Sequence, residues 1–254
     1  MAQKAVGWLA PLAVALQFLT RAPAILHRPF TPPELGRAVG FFPLVGLLLG
    51  AVLALLDWGL TRLFPPAVTA ALLLAAWILL TGALHLDGLL DACDGLLGGW
   101  TPEQRLEILR DERVGAFAVA GGVLVLLAMF AALESLSIRT TPLLLAAVLG
   151  RWAMGLALVH FPYVRPQGLG RAMKDHAGRR ELFLGSVTAG VISLGVGGWW
   201  GAGALVLALL VTWLAGRFAV ARIGGLTGDL YGATCVLVET AVLLWFTAGS
   251  GGMR

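Results

Sequence analysis

Seven of the 14 acidic residues in this 254-residue chain fall within the 29 positions from 85 to 113. Three of them, Asp87, Asp91 and Asp94, are spaced i, i+4 and i+7, which on a helix puts all three carboxylates on one face. Such a row repels itself, and at the end of an apolar helix it is also partly desolvated. A bound divalent cation relieves both costs. Ligands that are all oxygen favour Mg2+ or Mn2+, which bind through few carboxylates together with waters and substrate phosphates. The competing reading is a solvated acidic helix face. Leucines and glycines at the intervening positions speak against it, because acids near bilayer depth mark functional sites by default. His85, two positions before Asp87, suits a general base or a partner behind the metal ligands, and equally a plain interfacial histidine.

Gly95 and Gly98-Gly99 then stop the helix. Thr101-Pro102-Glu103-Gln104 reads as a new start, with Thr101 as N-cap and Pro102 in the first helical position. That stretch runs into Arg110-Asp111-Glu112-Arg113. Arg110 and Arg113 are placed to hold phosphate oxygens opposite a metal, or else to anchor topology and pair with Glu107 and Asp111. Two further segments carry candidate groups. The glycine-punctuated stretch from Gly168 to His176, with Lys174, suits an anionic ligand or a basic membrane-surface loop. Beyond Arg217 and Arg222, the run Gly224-Gly225-Leu226-Thr227-Gly228-Asp229 belongs to a stretch with four glycines in the nine positions 224–232. Such a loop allows close backbone approach to a phosphate or metal. Asp229 stands at the mouth of the next helix, as a site residue or as its N-cap.

A membrane bundle must position these groups. The chain is 59% hydrophobic and only 13% charged, with a mean hydropathy of +0.88, whereas soluble domains average about 45–50% apolar and about 25% charged residues. So few charges cannot cover a water-facing surface, and lipid must take its place. The net charge of +4 does not point to nucleic acid, because the basic residues lie in short segments between apolar runs and form no patch. Cys93 and Cys235 have no metal-ligand spacing and imply no disulfide framework.

A spanning helix needs about 20 apolar residues. Runs at 38–56, 67–84, 114–133, 142–161, 182–200, 202–215 and 233–248 therefore predict an all-α, polytopic transmembrane bundle of about seven helices. It forms one domain over residues 1–254. The short run 5–19 lies in the interface, enters partway or spans with a tilt. Arg21-Ala22-Pro23 follows it in place of a signal-peptide cleavage pattern. Alternation puts Arg21, Arg28, Arg37 and segments 85–113, 165–180 and 217–229 on one face. Asp57, Arg62, Glu134, Arg139, the Trp199-Trp200 hairpin and the C-terminal Gly-Ser-Gly-Gly tail take the other. The first face holds nearly all the Lys and Arg, which makes it cytoplasmic. Every loop with candidate chemistry opens there, at the cell inner membrane.

The run His85-Leu86-Asp87-Gly88-Leu89-Leu90-Asp91-Ala92-Cys93-Asp94-Gly95 resembles the hallmark of the cobalamin synthase family, the adenosylcobinamide-GDP ribazoletransferases. Thr101-Pro102-Glu103, Arg105-Leu106-Glu107-Ile108, Asp111 and Arg113-Val114-Gly115 are also similar to that family. So are Phe18-Leu19-Thr20-Arg21 with its following proline and Gly224-Gly225-Leu226-Thr227-Gly228-Asp229. The similarity runs from about residue 17 to about residue 234. Arg110 stands where Lys is expected, and Glu112 where a small residue is expected.

The resemblance implies a Mg2+-dependent transfer of adenosylcobinamide phosphate from adenosylcobinamide-GDP to α-ribazole or its 5′-phosphate, with release of GMP. Asp87, Asp91 and Asp94 would then hold the metal. Arg110, Arg113, Lys174 and Arg222 would neutralise the phosphates, with Thr227 among the substrate contacts. Asp229 or His85 would take the proton of the attacking hydroxyl. Membrane lipid is an implied partner and nucleic acid is not; a homo-oligomer or association with other cobalamin-assembly enzymes stays open. Membrane CDP-alcohol phosphotransferases and intramembrane prenyltransferases share the composition. The first lack a match here for their longer Gly-x-x-x-Asp-x-x-x-Asp signature, and the second need two aspartate-rich motifs. A transporter would need acids at mid-membrane and an inverted repeat.

Overall fold

The computed structural model describes residues 2–250, with side chains from residue 10 to residue 249. In chain order its helices are α1 (Ala2–Leu19), α2 (Pro32–Ala38), α3 (Phe42–Leu60), α4 (Pro66–Thr81), α5 (Leu84–Gly98), α6 (Pro102–Ile108), α7 (Ala116–Ser135), α8 (Thr140–His160), α9 (Leu169–His176), α10 (Arg179–Ile223) and α11 (Gly228–Ser250), with one 3-10 turn, Val39–Phe41, between α2 and α3. No named strand occurs among the described residues. The last four residues, which hold the end of the Gly-Ser-Gly-Gly tail, lie outside the described part.

Helices dominate because lipid offers no partner to a free N–H or C=O, so each spanning segment must satisfy its own backbone. Among the described residues, five helical stretches are long and apolar enough to cross a membrane, and a sixth counts if the bent pair α4–α5 is one span. One of the five, α10, is 45 residues long but not straight: Gly198 has φ 51° and ψ −129°, outside the helical region. Gly197 lies against Leu145 near the start of α8, whereas Gly216 lies against Phe161 just beyond its end. The chain therefore reverses at Gly198, and α10 is a helical hairpin with Trp199 at its tip. The two runs 182–200 and 202–215 are its arms, with the turn slightly earlier than their boundary suggests.

The axis of the bundle is α8, buried without a break from Leu145 to Leu158. Against it lies α3, where Gly46 and Gly50 let the backbones meet; a Cβ on Gly50 would approach the Leu144 Cα to 2.7 Å. Small residues four apart are a usual device for close helix approach in lipid. Facing outward, α7 and α10 expose Leu124, Leu127, Val191 and Leu210, the apolar belt expected where lipid is the solvent.

Two charges inside this apolar core escaped the sequence reading. Arg151 on α8 is 1% exposed and Glu239 on α11 is 3% exposed, and they form an ion pair. Their positions in the middle of two apolar runs were the available signal. At the end of the bundle away from the acidic row, Arg139 pairs with Asp57 at 3.2 Å. Removing one partner of a buried pair strands the other charge, at a cost of about 3–5 kcal/mol, whereas a well-packed apolar replacement of both can be neutral. Glu239→Ala should accordingly lower the unfolding temperature in detergent sharply, and the double variant Arg151→Met, Glu239→Leu should recover most of it. A wild-type melting curve for Glu239→Ala would show that this pair does not hold α8 to α11.

Candidate active site

The acidic row owes its place to a bend. Gly82 (φ 62°) and Ala83 (φ 58°) are both left-handed, so α4 stops and the chain turns by 91° into α5. The α4 end is sealed by Arg21, whose backbone N–H donates to the Leu80 carbonyl at 2.7 Å. That contact gives the Phe18-Leu19-Thr20-Arg21 motif a structural part. Lying across the end of the bundle, α5 meets the first turn of α11 at Gly88. A side chain there would strike the Asp229 carbonyl, 2.5 Å from an ideal Cβ. Asp229 thereby joins the acids of α5, close enough for Asp91 to feel its charge.

Asp87 is exposed and Asp91 half-buried, and among the described residues neither carboxylate accepts a hydrogen bond. Asp94 differs. Its two oxygens accept the backbone N–H groups of Gly115 at 2.6 Å and Ala118 at 2.9 Å, so it caps the N-terminus of α7 in the manner of an N-cap carboxylate. All three acids border one cavity of about 230 Å3, together with Arg110, Asp111 and Arg113. Thr101 and Gln104 form the capping box that starts α6, and the chain beyond α6 carries the two arginines to the acids. Arg113 holds Asp111 with its guanidinium at 2.6 Å, and these hydrogen bonds push the Asp111 carboxyl down to about 2. Among the described residues, no group of three or more His, Cys, Asp or Glu converges closely enough to hold a metal ion unaided.

Asp87 also borders a second cavity, of about 280 Å3, shared with His85, Asp229, Arg165 and Tyr231. Here Arg165 donates to Asp229 at 2.7 Å and to the Leu109 carbonyl at 2.9 Å. The Thr227 hydroxyl donates to the same Asp229 oxygen at 3.2 Å. The glycine-rich loop pairs with the chain itself: Leu226 N–H donates to the Pro162 carbonyl at 2.8 Å, and the Leu226 carbonyl accepts from Val164 N–H at 3.0 Å. Gly225 serves this pairing, since a Cβ there would lie 2.7 Å from the Pro162 carbonyl oxygen. His85 is 3% exposed, and neither ring nitrogen has a partner among the described residues; it is a core residue at the cavity wall, not an interfacial one.

Lys174 and Arg222 border neither cavity. Lys174 spends its three donors on the carbonyls of Leu158, Val159 and Phe161 at 2.7, 3.0 and 2.9 Å, capping the C-terminus of α8 where a cation is favoured. Burial there, and then the charge of Arg171, lower its pKa. Arg222 donates to the Leu96 carbonyl at 3.0 Å and lies over the Phe218 ring, closing the end of α5. The sequence reading passed over Arg165, counted only as a topological charge, and over Tyr163 and Tyr231, which stack at 5.9 Å. Nothing in local spacing marks a contact between residues 165 and 229.

A multi-pass helical bundle whose one end brings carboxylates and arginines around two adjoining cavities defines a membrane-embedded enzyme. Comparison with known proteins agrees. The model of the cobalamin-5-phosphate synthase family matches residues 11–247. The chain is 45% identical over 249 residues to the adenosylcobinamide-GDP ribazoletransferase of Pseudomonas paraeruginosa, covering 93% of this chain and 97% of that protein. It is 46% identical over 241 residues to the protein of that name from Pseudomonas fluorescens, covering 92% and 97%. With that from Roseiflexus sp. it shares 40% over 244 residues, covering 95% and 90%. No solved structure matches. The chain belongs to the cobalamin-5-phosphate synthase family, a family of transferases.

The capping geometry separates the acids by what their loss should do. Asp94→Ala should cost about 1 kcal/mol, the usual worth of a helix cap, read as a lower unfolding temperature in detergent. Asp87→Ala, on the same helix face, should leave that temperature within error of wild type. An equal loss from both would show that Asp94 has no special part in holding α7.

Proposed function

We propose that this chain transfers adenosylcobinamide phosphate from adenosylcobinamide-GDP to α-ribazole or its 5′-phosphate, with GMP as the other product. The observation that carries this reading is the place of Asp87, which borders both the charged cavity and the second, largely apolar one. A transfer between an anionic donor and a nucleoside acceptor needs such a shared boundary. In the step itself an acceptor hydroxyl oxygen bonds to the cobinamide-bearing phosphorus and the bridging P–O bond breaks. GMP carries away the bonding electrons, and the hydroxyl proton passes to a protein base.

The residues present fit a hard divalent cation. Asp87 and Asp91 offer oxygen only, accept no hydrogen bond from any described residue, and lie close enough for Asp91 to feel the charges of Asp229, Asp87 and Asp94. Asp87 and Asp91 would hold Mg2+, with Asp94 behind them, and substrate phosphates and water would fill the remaining positions. Such an ion, once bound, would withdraw charge from the diphosphate and stabilise the leaving phosphate. Phosphoryl transfer otherwise asks for positioning and charge neutralisation. Arg110 and Arg113 supply both from the far wall of the charged cavity, where guanidinium forks match phosphate oxygens. Asp229, steadied by Arg165 and Thr227, is our first choice for the proton acceptor, with His85 the alternative.

The basic residues that gather at this end of the bundle, among them Arg21, Arg110, Arg113 and Arg165, support a cytoplasmic orientation in the inner membrane. Turnover is read as GMP release by the purified protein in detergent. Removing divalent metal with a chelator should abolish it, and Mg2+ should restore it. Asp91→Asn should lower turnover about a hundredfold or more, the scale seen when one preorganised charge contact is lost. Near-wild-type, metal-dependent turnover in Asp91→Asn would sink the proposed metal seat.

A further inference from the structure

The second cavity differs from the charged one in almost every respect. Its walls are largely apolar, with Phe18, Phe42, Leu84, Met154, Leu158 and Met173 among them. Phe18 and Phe42 stack with centroids 6.3 Å apart and planes inclined by 13°, and Tyr163 stacks on Tyr231 at 21°. Methionines adapt to the outline of a ring and make favourable contacts with its edge. Three residues of this lining carry polar atoms with no partner among the described residues: the Tyr231 hydroxyl, Arg165 Nε and both ring nitrogens of His85. Tyr231 is 4% exposed and His85 3%, so water does not satisfy them. Unpaired buried polar groups cost about 1–3 kcal/mol each and call for an explanation.

We propose that this cavity is the acceptor site, and that it recognises an uncharged, fused aromatic base with Tyr231, Arg165 and His85 meeting the attached sugar. The proposal rests on the transfer reaction described above and assigns its two substrates to the two cavities. The diphosphate of the donor belongs opposite Arg110 and Arg113 in the charged cavity, and the corrin, whose rim carries amides, would find few polar partners here. That leaves the acceptor nucleoside or the guanosine end of the donor. Chemistry decides the rest. Guanine carries several N–H donors and several acceptors on its edges, and walls of Phe, Leu and Met would leave them unpaired. The base of α-ribazole is a dimethylated benzimidazole with one free ring nitrogen, and its faces and methyl groups suit aromatic and thioether contacts. With the base held there, the sugar lies toward Asp87 and Asp229, at the border with the charged cavity, where the diphosphate is to be met. Donor and acceptor then approach Asp87 from opposite sides.

The test uses the full chain in detergent and determines KM for each substrate with the other saturating. Met173→Trp narrows the cavity and should raise KM for α-ribazole about tenfold or more, with KM for adenosylcobinamide-GDP changed less than about twofold. Tyr231→Phe, a milder change that keeps the ring, should raise KM for α-ribazole about fivefold, the worth of one hydrogen bond. It decides the matter if Met173→Trp fails to fold. A rise confined to adenosylcobinamide-GDP would seat the guanosine in this cavity and overturn the proposal, as would equal rises for both substrates or none for either. Binding of α-ribazole alone, followed by its own benzimidazole fluorescence without donor or metal, separates this assignment from the reaction. Wild-type binding that Met173→Trp or Tyr231→Phe weakens supports the assignment even if no GMP is released, in which case the proposed reaction fails alone. Turnover by wild type together with unaltered binding in both variants overturns the assignment and leaves the reaction standing.

Discussion

Every helix end in a membrane bundle leaves several backbone groups without an intrahelical partner, and lipid supplies none. Several of the charged residues at the functional end of this bundle answer that demand. Asp94 takes the free N–H groups at the start of α7, Lys174 the free carbonyls at the end of α8, and Arg222 a carbonyl at the end of α5. Arg105 returns the favour to the Arg222 carbonyl at 3.2 Å. Arg165 reaches the Leu109 carbonyl just past α6. The site is therefore built from a population of charges, part of which fixes the helix ends and part of which is left over for chemistry.

This sharing explains how much of the site could be read in the sequence. Capping and phosphate binding select the same side chains at the same positions, because both respond to the partial charges of helix termini. The spacing of Asp87, Asp91 and Asp94 predicts a common helix face, and the three border one cavity, but spacing cannot show that the third carboxylate has both oxygens engaged. In the same way Lys174 in a glycine-punctuated basic loop looks ready for an anion, and only the approach of the α8 terminus reveals its other employment. Arg110 and Arg113 are brought to the acids as expected, since a short amphipathic helix leaves few places for them to go.

The fold was more legible, because the bilayer imposes a length on each apolar run. The runs at 114–133 and 142–161 became α7 (Ala116–Ser135) and α8 (Thr140–His160) with small shifts. What the runs concealed were the breaks. Gly82 and Ala83 lie in a continuous apolar context, yet their left-handed conformations turn the chain through a right angle, and that turn lays α5 across the end of the bundle. Pairing of Leu226 with Pro162 and Val164 was equally hidden, since it joins residues more than 60 apart through backbone groups that carry no sequence signal.

Rigidity follows from the same contacts. Asp229 is fixed from three directions: by Arg165, by Thr227, and by the close passage of α5 at Gly88. Arg165 in turn is tied to Leu109, so the chain after α6, the chain after α8 and the start of α11 move as one unit. A site held by side chains whose own positions are locked keeps its geometry without help from substrate. Asp87 and Asp91 differ from Asp94 and Asp229 in that no described residue donates a hydrogen bond to either carboxylate. Two such carboxylates on the border of one cavity are groups of this site that remain open to a ligand or an ion.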